Sequence, residues 1–467
     1  MAAPTRHVHF VGIGGIGMSG IAELLANLGY QVSGSDQRAT DITRRLTGMG
    51  VRVHEGHASE NVGDADVVVV TSAARSDNAE IVEARRRGVP VIARAEMLAE
   101  LMRLRRTGIA IGGAHGKTTT TSMVALMLER AGLDPTAVIG GRLSAFGSNA
   151  RLGQGDVIVA EADESDGSFL KLSPVISVIT NVDREHLDHY GSFEAALDAF
   201  VIFANTVPFD GTVIVGVDDT VLAGLLPRMT RRVVTYATDQ PAAMVLARDI
   251  TTGQGTTTCG VWRRAAHGDG PVEHLGTLVL NVPGRHNLRN ALAAVCVGLQ
   301  LGLAWDRIAF GLAEFQGAER RLQVVGERDG VLVVDDYGHH PTEIAAVIAA
   351  CREAWTRRLV LLFQPHRYTR TAGLLDEFAD VLAQADDVCL LPIYAASEDP
   401  IPGVTAEVLA AAITRRSGRP VNVVGGIADA PGAIAASARA GDLIVTLGAG
   451  SVGSLGPQLL EALEARR

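Results

Sequence analysis

Residues 107–132 read TGIAIGGAHGKTTTTSMVALMLERAG, which predicts a strand, a glycine-rich turn and a helix in direct succession. The glycines let backbone N–H groups turn inward around phosphate oxygens, and the start of the helix adds its dipole. Lys117 can then reach the outer phosphates of a nucleotide, and Thr118 can ligate Mg²⁺. The glycines stand slightly closer together than in a strict GxxxxGK[ST] motif, so we expect a variant phosphate loop that binds ATP. A plain turn with a solvated lysine is the alternative.

Apolar, β-rich runs alternate with Ala- and Leu-rich helical stretches over the rest of the chain, for example DVVVVTS, DVIVAEA, VISVITN, RLVLLF and DLIVTLG. Such alternation predicts an α/β fold in which helices cover both faces of parallel sheets. The 467 residues suggest about three domains. We place them at residues 1–107, 108–317 and 318–467, because a second glycine-rich turn unit begins after the first boundary and a new strand pattern after the second.

Acidic side chains follow two strands downstream of the glycine-rich turn. The segment EADESDGSF begins with Glu161 at the end of a strand, and NVDREHLDHYG carries His186 after the next one. Open α/β sheets present ligands at the carboxyl ends of their strands, and Mg²⁺ favours oxygen ligands. These segments therefore predict a magnesium site, with a solvated acidic loop as the alternative for each of them taken singly.

A first glycine-rich turn lies near the N-terminus. Gly12, Gly14 and Gly17 form a GxGxxG pattern between a strand and a helix, and Asp36 follows about 20 residues further on, as in a dinucleotide-binding fingerprint. An NAD-dependent oxidoreductase is therefore the main rival hypothesis. It leaves Lys117 and the acidic segments unexplained. A non-catalytic nucleotide-binding module is a further alternative.

Composition limits the function classes. The formal net charge of -10 argues against binding to nucleic acid or to an anionic membrane surface. The four cysteines are scattered without a CxxC pair, which fits a reducing compartment, and no apolar run approaches the roughly 18 to 20 residues that a membrane span needs. We therefore expect a cytoplasmic protein.

Taken together, the motifs resemble those of the Mur ligase family, in the family's order along essentially the whole chain. They are GIGGIGMSG, GAHGKTTTTS, EADESDGSF, NVDREHLDHYG, GRHNLRNALAA, the pair Arg320–Arg321, DDYGHHPTE, QPHRYTRT and LGAGS. DDYGHHPTE and QPHRYTRT favour the alanine-adding member. The resemblance implies an N-terminal Rossmann-like domain for a UDP-sugar, a central P-loop ATPase domain with a mostly parallel sheet, and a C-terminal Rossmann-like domain for the amino acid.

The resemblance also implies roles for individual residues. ATP would be bound by Gly113, Ala114, His115, Gly116, Lys117, Thr118, Thr119, Asn287, Asn290 and Arg320. Mg²⁺ would be held by Thr118, Glu161 and His186. Substrates would be bound by Gly14, Gly15, Gly17, Ser72, Arg94, Asp163, Glu164, Ser165, Tyr337 and His366. Lys117, His186, His339, Arg367 and Arg370 would be catalytic, and Asp336 would lie near the reacting groups. Ala114 departs from the family, which usually has threonine there.

The implied reaction is ATP-dependent joining of L-alanine to the carboxylate of UDP-N-acetylmuramate through an acyl phosphate. That reaction belongs to peptidoglycan precursor synthesis, and so to cell wall biogenesis, cell shape and cell division. A recycling ligase that attaches a preformed tripeptide to the same sugar is the nearest alternative. We expect a monomer or a homodimer.

Overall fold

The computed structural model describes residues 6–71, 74–143, 148–253, 255–264, 271–396 and 398–465. The described residues form three sheets with helices packed on them, which confirms the predicted three-domain α/β class. Packing groups the chain into two compact units. The first consists of Met1–Asp249, Cys259–Leu278 and Arg289–Phe315, and the second of Ile250–Thr258, Val279–Leu288 and Gln316–Arg467. The three predicted domain ranges stay a prediction.

The N-terminal sheet has five parallel strands in the order β3-β2-β1-β4-β5. The strands are β1 His7–Val11, β2 Gln31–Asp36, β3 Arg52–Glu55, β4 Val67–Val70 and β5 Val91–Ala93. The helices are α1 Ile16–Asn27, α2 Asp41–Gly48, α3 Ala79–Arg86 and α4 Arg94–Arg103, with a 3₁₀ turn at Ser59–Val62. All five residues of β1 are buried, as expected for the central strand of a parallel sheet covered on both faces.

The central sheet has ten strands in the order β15-β14-β13-β12-β11-β10-β6-β9-β7-β8. The strands are β6 Thr107–Gly112, β7 Thr136–Leu143, β8 Ser148–Arg151, β9 Val157–Glu161, β10 Ile176–Ile179, β11 Thr212–Gly216, β12 Arg232–Ala237, β13 Val245–Gly253, β14 Thr256–Arg264 and β15 Val272–Leu280. Strand β6 lies between β9 and β10 and is parallel to both. The glycine-rich turn after β6 is therefore flanked on each side by one of the two acidic segments.

The helices of the central region follow these strands. They are α5 Lys117–Arg130, α6 Leu187–Tyr190, α7 Phe193–Asn205, α8 Thr220–Gly224, α9 Arg285–Gln300 and α10 Trp305–Ala313, with 3₁₀ turns at Ser168–Lys171 and Leu226–Arg228. Helix α5 is buried over most of its length, from Thr119 to Leu128. It needs no polar face, because neighbouring elements cover it almost completely.

The C-terminal sheet has six strands in the order β16-β17-β21-β18-β19-β20. The strands are β16 Gln323–Arg328, β17 Val331–Asp336, β18 Arg358–Phe363, β19 Asp387–Leu390, β20 Asn422–Val423 and β21 Asp442–Leu447. The helices are α11 Pro341–Ala354, α12 Tyr368–Gly373, α13 Leu375–Leu382, α14 Ala406–Ser417, α15 Ala430–Ser437 and α16 Leu455–Glu464, with a 3₁₀ turn at Ser451–Ser454. Only the edge strand β16 is antiparallel to its neighbour.

Two apolar cores cover the two faces of this third sheet. Val334 and Leu361 belong to one core, while Val333 and Leu362 belong to the other. Side chains alternate between faces along a strand, so continuous apolar strands such as RLVLLF supply both cores at once. Among the helices that the structure describes, none combines the length and the apolar character needed to cross a bilayer.

Candidate active site

The turn between β6 and α5 has the backbone that phosphate binding requires. Gly113 has φ +130° and Gly116 has φ +80°, conformations that favour glycine. A Cβ on Gly113 would lie 2.1 Å from Thr180 Oγ1, and one on Gly116 would lie 2.5 Å from Asn290 Oδ1. Both positions therefore exclude a side chain, and the amide of Asn290 packs directly against the loop.

The end of strand β10 holds the outer side of this loop. Asn181 accepts hydrogen bonds from two loop N–H groups, that of Ala114 at its carbonyl (3.0 Å) and that of His115 at its side chain (2.8 Å). Its amide group and the Thr180 hydroxyl both donate to the His115 carbonyl. His115 Nε2 lies 2.8 Å from Asp183 Oδ2. The segment NVD at residues 181–183 therefore fixes the loop, although the sequence pattern had indicated that this segment supplies metal ligands.

The Lys117 ammonium folds back onto the loop. It donates to the carbonyls of Gly113 (2.7 Å) and Ala114 (3.0 Å) and forms an ion pair with Glu164 Oε1 at 2.8 Å. Only 15% of the Lys117 side chain and 4% of the Glu164 side chain are exposed. A positive charge is therefore held at the first residue of a buried helix, next to backbone that can wrap around an anion.

Negative charge is in excess around Lys117. Burial lowers the pKa of Lys117, but the Glu164 carboxylate, helped by Glu161 and Asp163, outweighs burial and raises the pKa. Burial raises the pKa of the Glu164 carboxyl to about 7, with Asp163 adding to the rise and Lys117 opposing it. The two rises have different main causes: neighbouring carboxylates raise the pKa of Lys117, whereas burial raises that of Glu164. A further cation at this position would be stabilised.

The residues predicted to hold Mg²⁺ occur in two sets of contacts, one of Thr118 with Glu161 and one of His186 with Glu164 and Glu185. The Thr118 hydroxyl donates to Glu161 Oε1 at 3.2 Å, and His186 Nε2 lies 3.6 Å from Glu164 Oε1 and 3.6 Å from Glu185 Oε2. Glu164, Glu185 and His186 offer ligand atoms within 4.8 Å of one another. The buried Glu164 Oε2 has no hydrogen-bond partner among the residues that the structure describes. An unsatisfied, oxygen-rich donor set of this kind fits Mg²⁺.

The first glycine-rich turn also lies within the first unit. The Gly14 N–H donates to Asp36 Oδ2 at 2.8 Å, and a Cβ on Gly17 would lie 2.5 Å from Arg94 Nη1. Arg94 in turn donates to Asp163 Oδ2 at 3.0 Å. The turn, Arg94 and Asp163 were all predicted to bind substrate. They are far apart in the sequence, and the structure brings them into contact. The Asp163 carboxylate also accepts the N–H of Ser165.

In the second unit, the predicted residues around β17 form a compact polar cluster. Arg320 donates to Asp335 Oδ2 (2.8 Å) and to the Gly448 carbonyl (2.6 Å), and its guanidinium lies 5.0 Å from the centre of the Tyr337 ring. Asp336 is buried and accepts the N–H groups of Leu322 and Gly338. Burial raises the pKa of its carboxyl to about 6, although Arg321 opposes the rise.

The HRYTR segment lies against the YGHH segment in the same unit. The rings of His339 and His366 are 5.7 Å apart, and Arg370 Nη1 lies 3.3 Å from His366 Nδ1. Burial, together with the nearby groups of His339, Arg370 and Arg367, lowers the pKa of His366 to about 4. The imidazole is therefore neutral near pH 7, beside two guanidinium groups. Arg367 has a φ of +72°, a rare conformation for a non-glycine residue and one that is common at functional sites.

Sequence reasoning missed several residues of this second cluster. Tyr394 stacks on His366 with ring centres 5.5 Å apart, and Glu398 accepts hydrogen bonds from Thr369. Glu343 accepts the N–H groups of His339 and His340. Glu343 could have been found, since an acid three residues into a helix typically caps it. Nothing local marks Tyr394 or Glu398, which follow a different strand.

The remaining predicted residues have varied surroundings. The Asn287 amide donates to the Pro283 carbonyl, Thr119 is buried in the first turn of α5, and Gly15 precedes α1. Ser72 lies outside the described residues.

Family models match the chain in three consecutive segments. The match to the Mur ligase family catalytic domain covers residues 7–106, that to the Mur ligase middle domain residues 111–298, and that to the Mur ligase glutamate ligase domain residues 320–450.

Similar proteins and structures extend over almost the whole chain. The UDP-N-acetylmuramate–L-alanine ligase of Solibacter usitatus is 53% identical over 459 residues, which cover 98% of this chain and 95% of that protein. The enzyme of the same name from Desulfosudis oleivorans is 53% identical over 460 residues, 98% of each chain. The crystal structure of UDP-N-acetylmuramate-alanine ligase MurC from Thermotoga maritima superposes with a TM-score of 0.82 at 28% identity, covering 99% of this chain and 100% of that one. A murein peptide ligase from Psychrobacter arcticus gives a TM-score of 0.69 at 26% identity, with 98% of both chains covered.

Proposed function

The chain belongs to the Mur ligase family, and on that premise we propose that it joins L-alanine to UDP-N-acetylmuramate with consumption of ATP. The observation that carries the proposal is full-length similarity, 53% identity over 98% of the chain, to ligases named for this reaction. The murein peptide ligase structure superposes less closely than the alanine ligase structure, with a TM-score of 0.69 against 0.82, so the tripeptide-adding alternative is less supported. The dehydrogenase alternative leaves the buried Lys117 and the acidic segments around it without a role.

The phosphate chemistry rests on the loop after β6. In this proposal the phosphates of ATP bind at the Lys117 ammonium and at loop N–H groups other than those of Ala114 and His115, which already donate to Asn181; Asn290 supports Gly116. The muramyl carboxylate attacks the γ-phosphorus, ADP leaves, and an acyl phosphate forms. Lys117 stabilises the charge that spreads over the transferring phosphoryl oxygens, which is the main contribution a protein makes to phosphoryl transfer.

The acidic cluster would hold Mg²⁺ through Thr118, Glu161 and His186, with the carboxylates of Glu164 and Glu185 beside them. When bound, the ion supplies positive charge to the phosphate oxygens. The chain's own contribution is to place one ammonium and several carboxylates together in a buried position. The Lys117 ammonium forms an ion pair with Glu164. When a phosphate binds to the same ammonium, that ion pair must weaken or break, because the two anions compete for one cation.

The sugar nucleotide would bind at the first glycine-rich turn. Gly14, Gly15 and Gly17 present backbone at the start of α1, and Arg94 lies across Gly17 as a cation for the UDP phosphates. The contact of Arg94 with Asp163 connects this turn to the segment that also carries Glu161 and Glu164. Such a connection supports a substrate that reaches from the turn toward the phosphate loop.

The amino acid would bind at the second cluster. Arg367 and Arg370 suit the alanine carboxylate, since a guanidinium can bind a carboxylate through two hydrogen bonds. His366 is neutral near pH 7, so it adds a hydrogen-bonding group without adding charge beside the arginines. The neutral amine of alanine then attacks the acyl carbon, the C–N bond forms, and inorganic phosphate leaves. We place this reaction in the cytoplasm, where ATP and nucleotide sugars are available.

A substrate comparison tests the proposal. Phosphate release is measured with ATP, Mg²⁺ and UDP-N-acetylmuramate, and L-alanine, glycine, L-serine and tripeptide are compared as acceptors. We expect turnover with L-alanine to exceed that with the others. Faster turnover with tripeptide would favour the recycling ligase, and the absence of ATP hydrolysis with every acceptor would contradict the proposed function.

A further inference from the structure

Glu80 is a fully buried carboxylate in the first turn of α3, in the N-terminal sheet region. Its relative exposure is 0%. The helix start is fixed by Asn78, whose side-chain oxygen accepts the Glu80 N–H at 2.9 Å. A buried carboxylate costs several kcal/mol unless hydrogen bonds and charges compensate it, so such a group is expected to have a specific role.

The Glu80 carboxylate accepts hydrogen bonds at both oxygens. Ser35 donates its hydroxyl to Oε2 at 2.6 Å, and Asn61 donates its amide to Oε1 at 2.6 Å. His57 Nδ1 lies 3.2 Å from Oε2, and His9 Nε2 lies 3.8 Å from Oε1. Burial alone would raise the pKa of Glu80, but His9, Ser35 and Asn61 outweigh burial and lower it to about 2. The group is therefore ionised at every pH at which the protein works.

One route of hydrogen bonds leads from Glu80 to the glycine-rich turn through Ser35. The Ser35 hydroxyl is bonded to Glu80, and the Ser35 carbonyl accepts the N–H groups of Gly12 and Ile13, each at 2.9 Å. Ser35 is the penultimate residue of β2. Fixing its side chain therefore also fixes the carbonyl that anchors the first two residues of the turn.

A second route leads to the same turn through Asn61. The Asn61 amide donates to the Gly56 carbonyl as well as to Glu80, the Gly56 N–H donates to the Asp36 carbonyl at 2.7 Å, and Asp36 Oδ2 accepts the Gly14 N–H at 2.8 Å. Two chains of hydrogen bonds thus share one buried carboxylate as their starting point. They end on consecutive parts of the turn that the proposed function assigns to the sugar nucleotide.

We infer that Glu80 is a positioning residue for UDP-N-acetylmuramate, acting through Ser35 and Asn61 on the turn at residues 12–17. The inference rests on the proposed function, because it takes the turn as the UDP site. The N–H groups of Gly12, Ile13 and Gly14 are used in these bonds, so they anchor the backbone of the turn, and small displacements of a binding backbone weaken binding strongly. Glu80 touches no substrate and supplies no group to the chemistry.

The test is Glu80→Gln, which keeps the shape of the side chain and removes its charge. The amide can still accept from Asn61 but replaces the acceptor for Ser35 with a donor. We expect the KM for UDP-N-acetylmuramate to rise about tenfold, because a turn displaced from its position binds the substrate more weakly. The KM values for ATP and L-alanine and the kcat at saturation should stay within about twofold. Glu83→Gln, one turn along α3 and paired with Arg86 on the surface, is the matched control and should leave all four constants unchanged.

A purely structural role predicts a different pattern. If Glu80 only stabilised the domain, Glu80→Gln would reduce the active fraction and hence the apparent kcat, with the KM for the sugar nucleotide unchanged, and that result would overturn the inference. If the wild-type protein itself showed no turnover with L-alanine, the proposed function would be wrong instead.

Asn61→Ala removes the second route alone and keeps the test decisive if Glu80→Gln does not fold. It should raise the same KM, and a double-mutant cycle with Glu80→Gln should give less than the product of the single effects. An unchanged KM in Asn61→Ala, or fully multiplicative effects in the cycle, would contradict action through that route.

Discussion

Lys117 is one of only two lysines in the chain, the other being Lys171, among 42 lysine and arginine residues. The chain therefore uses arginine for almost every positive charge and keeps a lysine at the phosphate loop. A compact ammonium fits between the carbonyls of Gly113 and Ala114, at 2.7 and 3.0 Å, where a planar guanidinium does not. We predict that both Lys117→Ala and Lys117→Arg lose ATP-dependent ligation.

The magnitude follows from burial and distance. Only 15% of the Lys117 side chain is exposed, so the effective dielectric constant around it is well below that of water. At about 4 Å and an effective dielectric constant of about 20, two unit charges interact by about 4 kcal/mol. Since about 1.4 kcal/mol corresponds to a factor of ten, Lys117→Ala should lower kcat/KM for ATP by about 10³-fold. Lys117→Arg keeps the charge but displaces it, so we expect a loss of about 10²-fold.

The assay is phosphate release at saturating sugar nucleotide and L-alanine with ATP varied. Lys171→Ala is the matched control, because Lys171 forms an ion pair with Glu96 and its side chain is 45% exposed. It should retain wild-type kcat/KM. Circular dichroism and thermal melting establish that each variant is folded. If folded Lys117→Ala kept more than about a tenth of wild-type kcat/KM for ATP, the role assigned to the ammonium would be wrong.

Three further predictions address the loop, the acidic cluster and the core. Gly116→Ala should lower kcat/KM for ATP at least tenfold, since φ is +80° and Cβ would meet Asn290; Gly132→Ala, at φ +84° with open space around it, carries similar strain and should leave activity intact. The pKa of Glu164 is about 7 when folded against an ordinary 4.5, so the stability this group contributes is fully present below pH 4.5 and is lost as pH rises through 7. Glu164→Gln should therefore gain stability relative to wild type as pH rises from 4.5 to 8 in urea unfolding, and parallel pH profiles would refute this. A thiol reagent at pH 8 should label no cysteine in the native protein and four after denaturation, because burial raises the pKa of all four thiols. They are Cys259, Cys296, Cys351 and Cys389.

The phosphate loop could be predicted from the sequence because everything that defines it is local. Strand, glycines, lysine and helix lie within residues 107–132, and the structure has them as β6, the turn and α5. The acidic segments were predicted to gather at strand ends, which parallel sheets favour. The strand order could not be predicted from local sequence patterns. The order β9-β6-β10 brings one acidic segment to each side of the loop, and it depends on two crossovers that no local pattern specifies.

Glu164 shows how this missing information changes a residue's interpretation. From the sequence it stood among several acids after β9, and the resemblance grouped it with substrate binding. In the structure it is bonded to Lys117 and lies 3.6 Å from His186, residues that follow two other strands. The partners of a carboxylate are set by which cation the fold brings near, so its local sequence does not determine them. The proposed substrate role of Glu164 stays a prediction.

Glu80 represents the opposite case, a residue that no motif marks and that the fold makes central. Ser35, Asn61 and Gly56 belong to a strand end, a 3₁₀ turn and a loop, and none of them carries a chemical signature in the sequence. Their hydrogen bonds form a connected chain because β3 lies beside β2 in the sheet and α3 packs near the ends of these strands. A turn such as GIGGIG can be recognised from its own residues, whereas the groups that hold its N–H directions are non-local. Motifs should therefore miss residues that affect substrate affinity by supporting the turn from other parts of the chain. Substituting the buried polar residues around the turn one at a time and measuring the KM of each variant would find them.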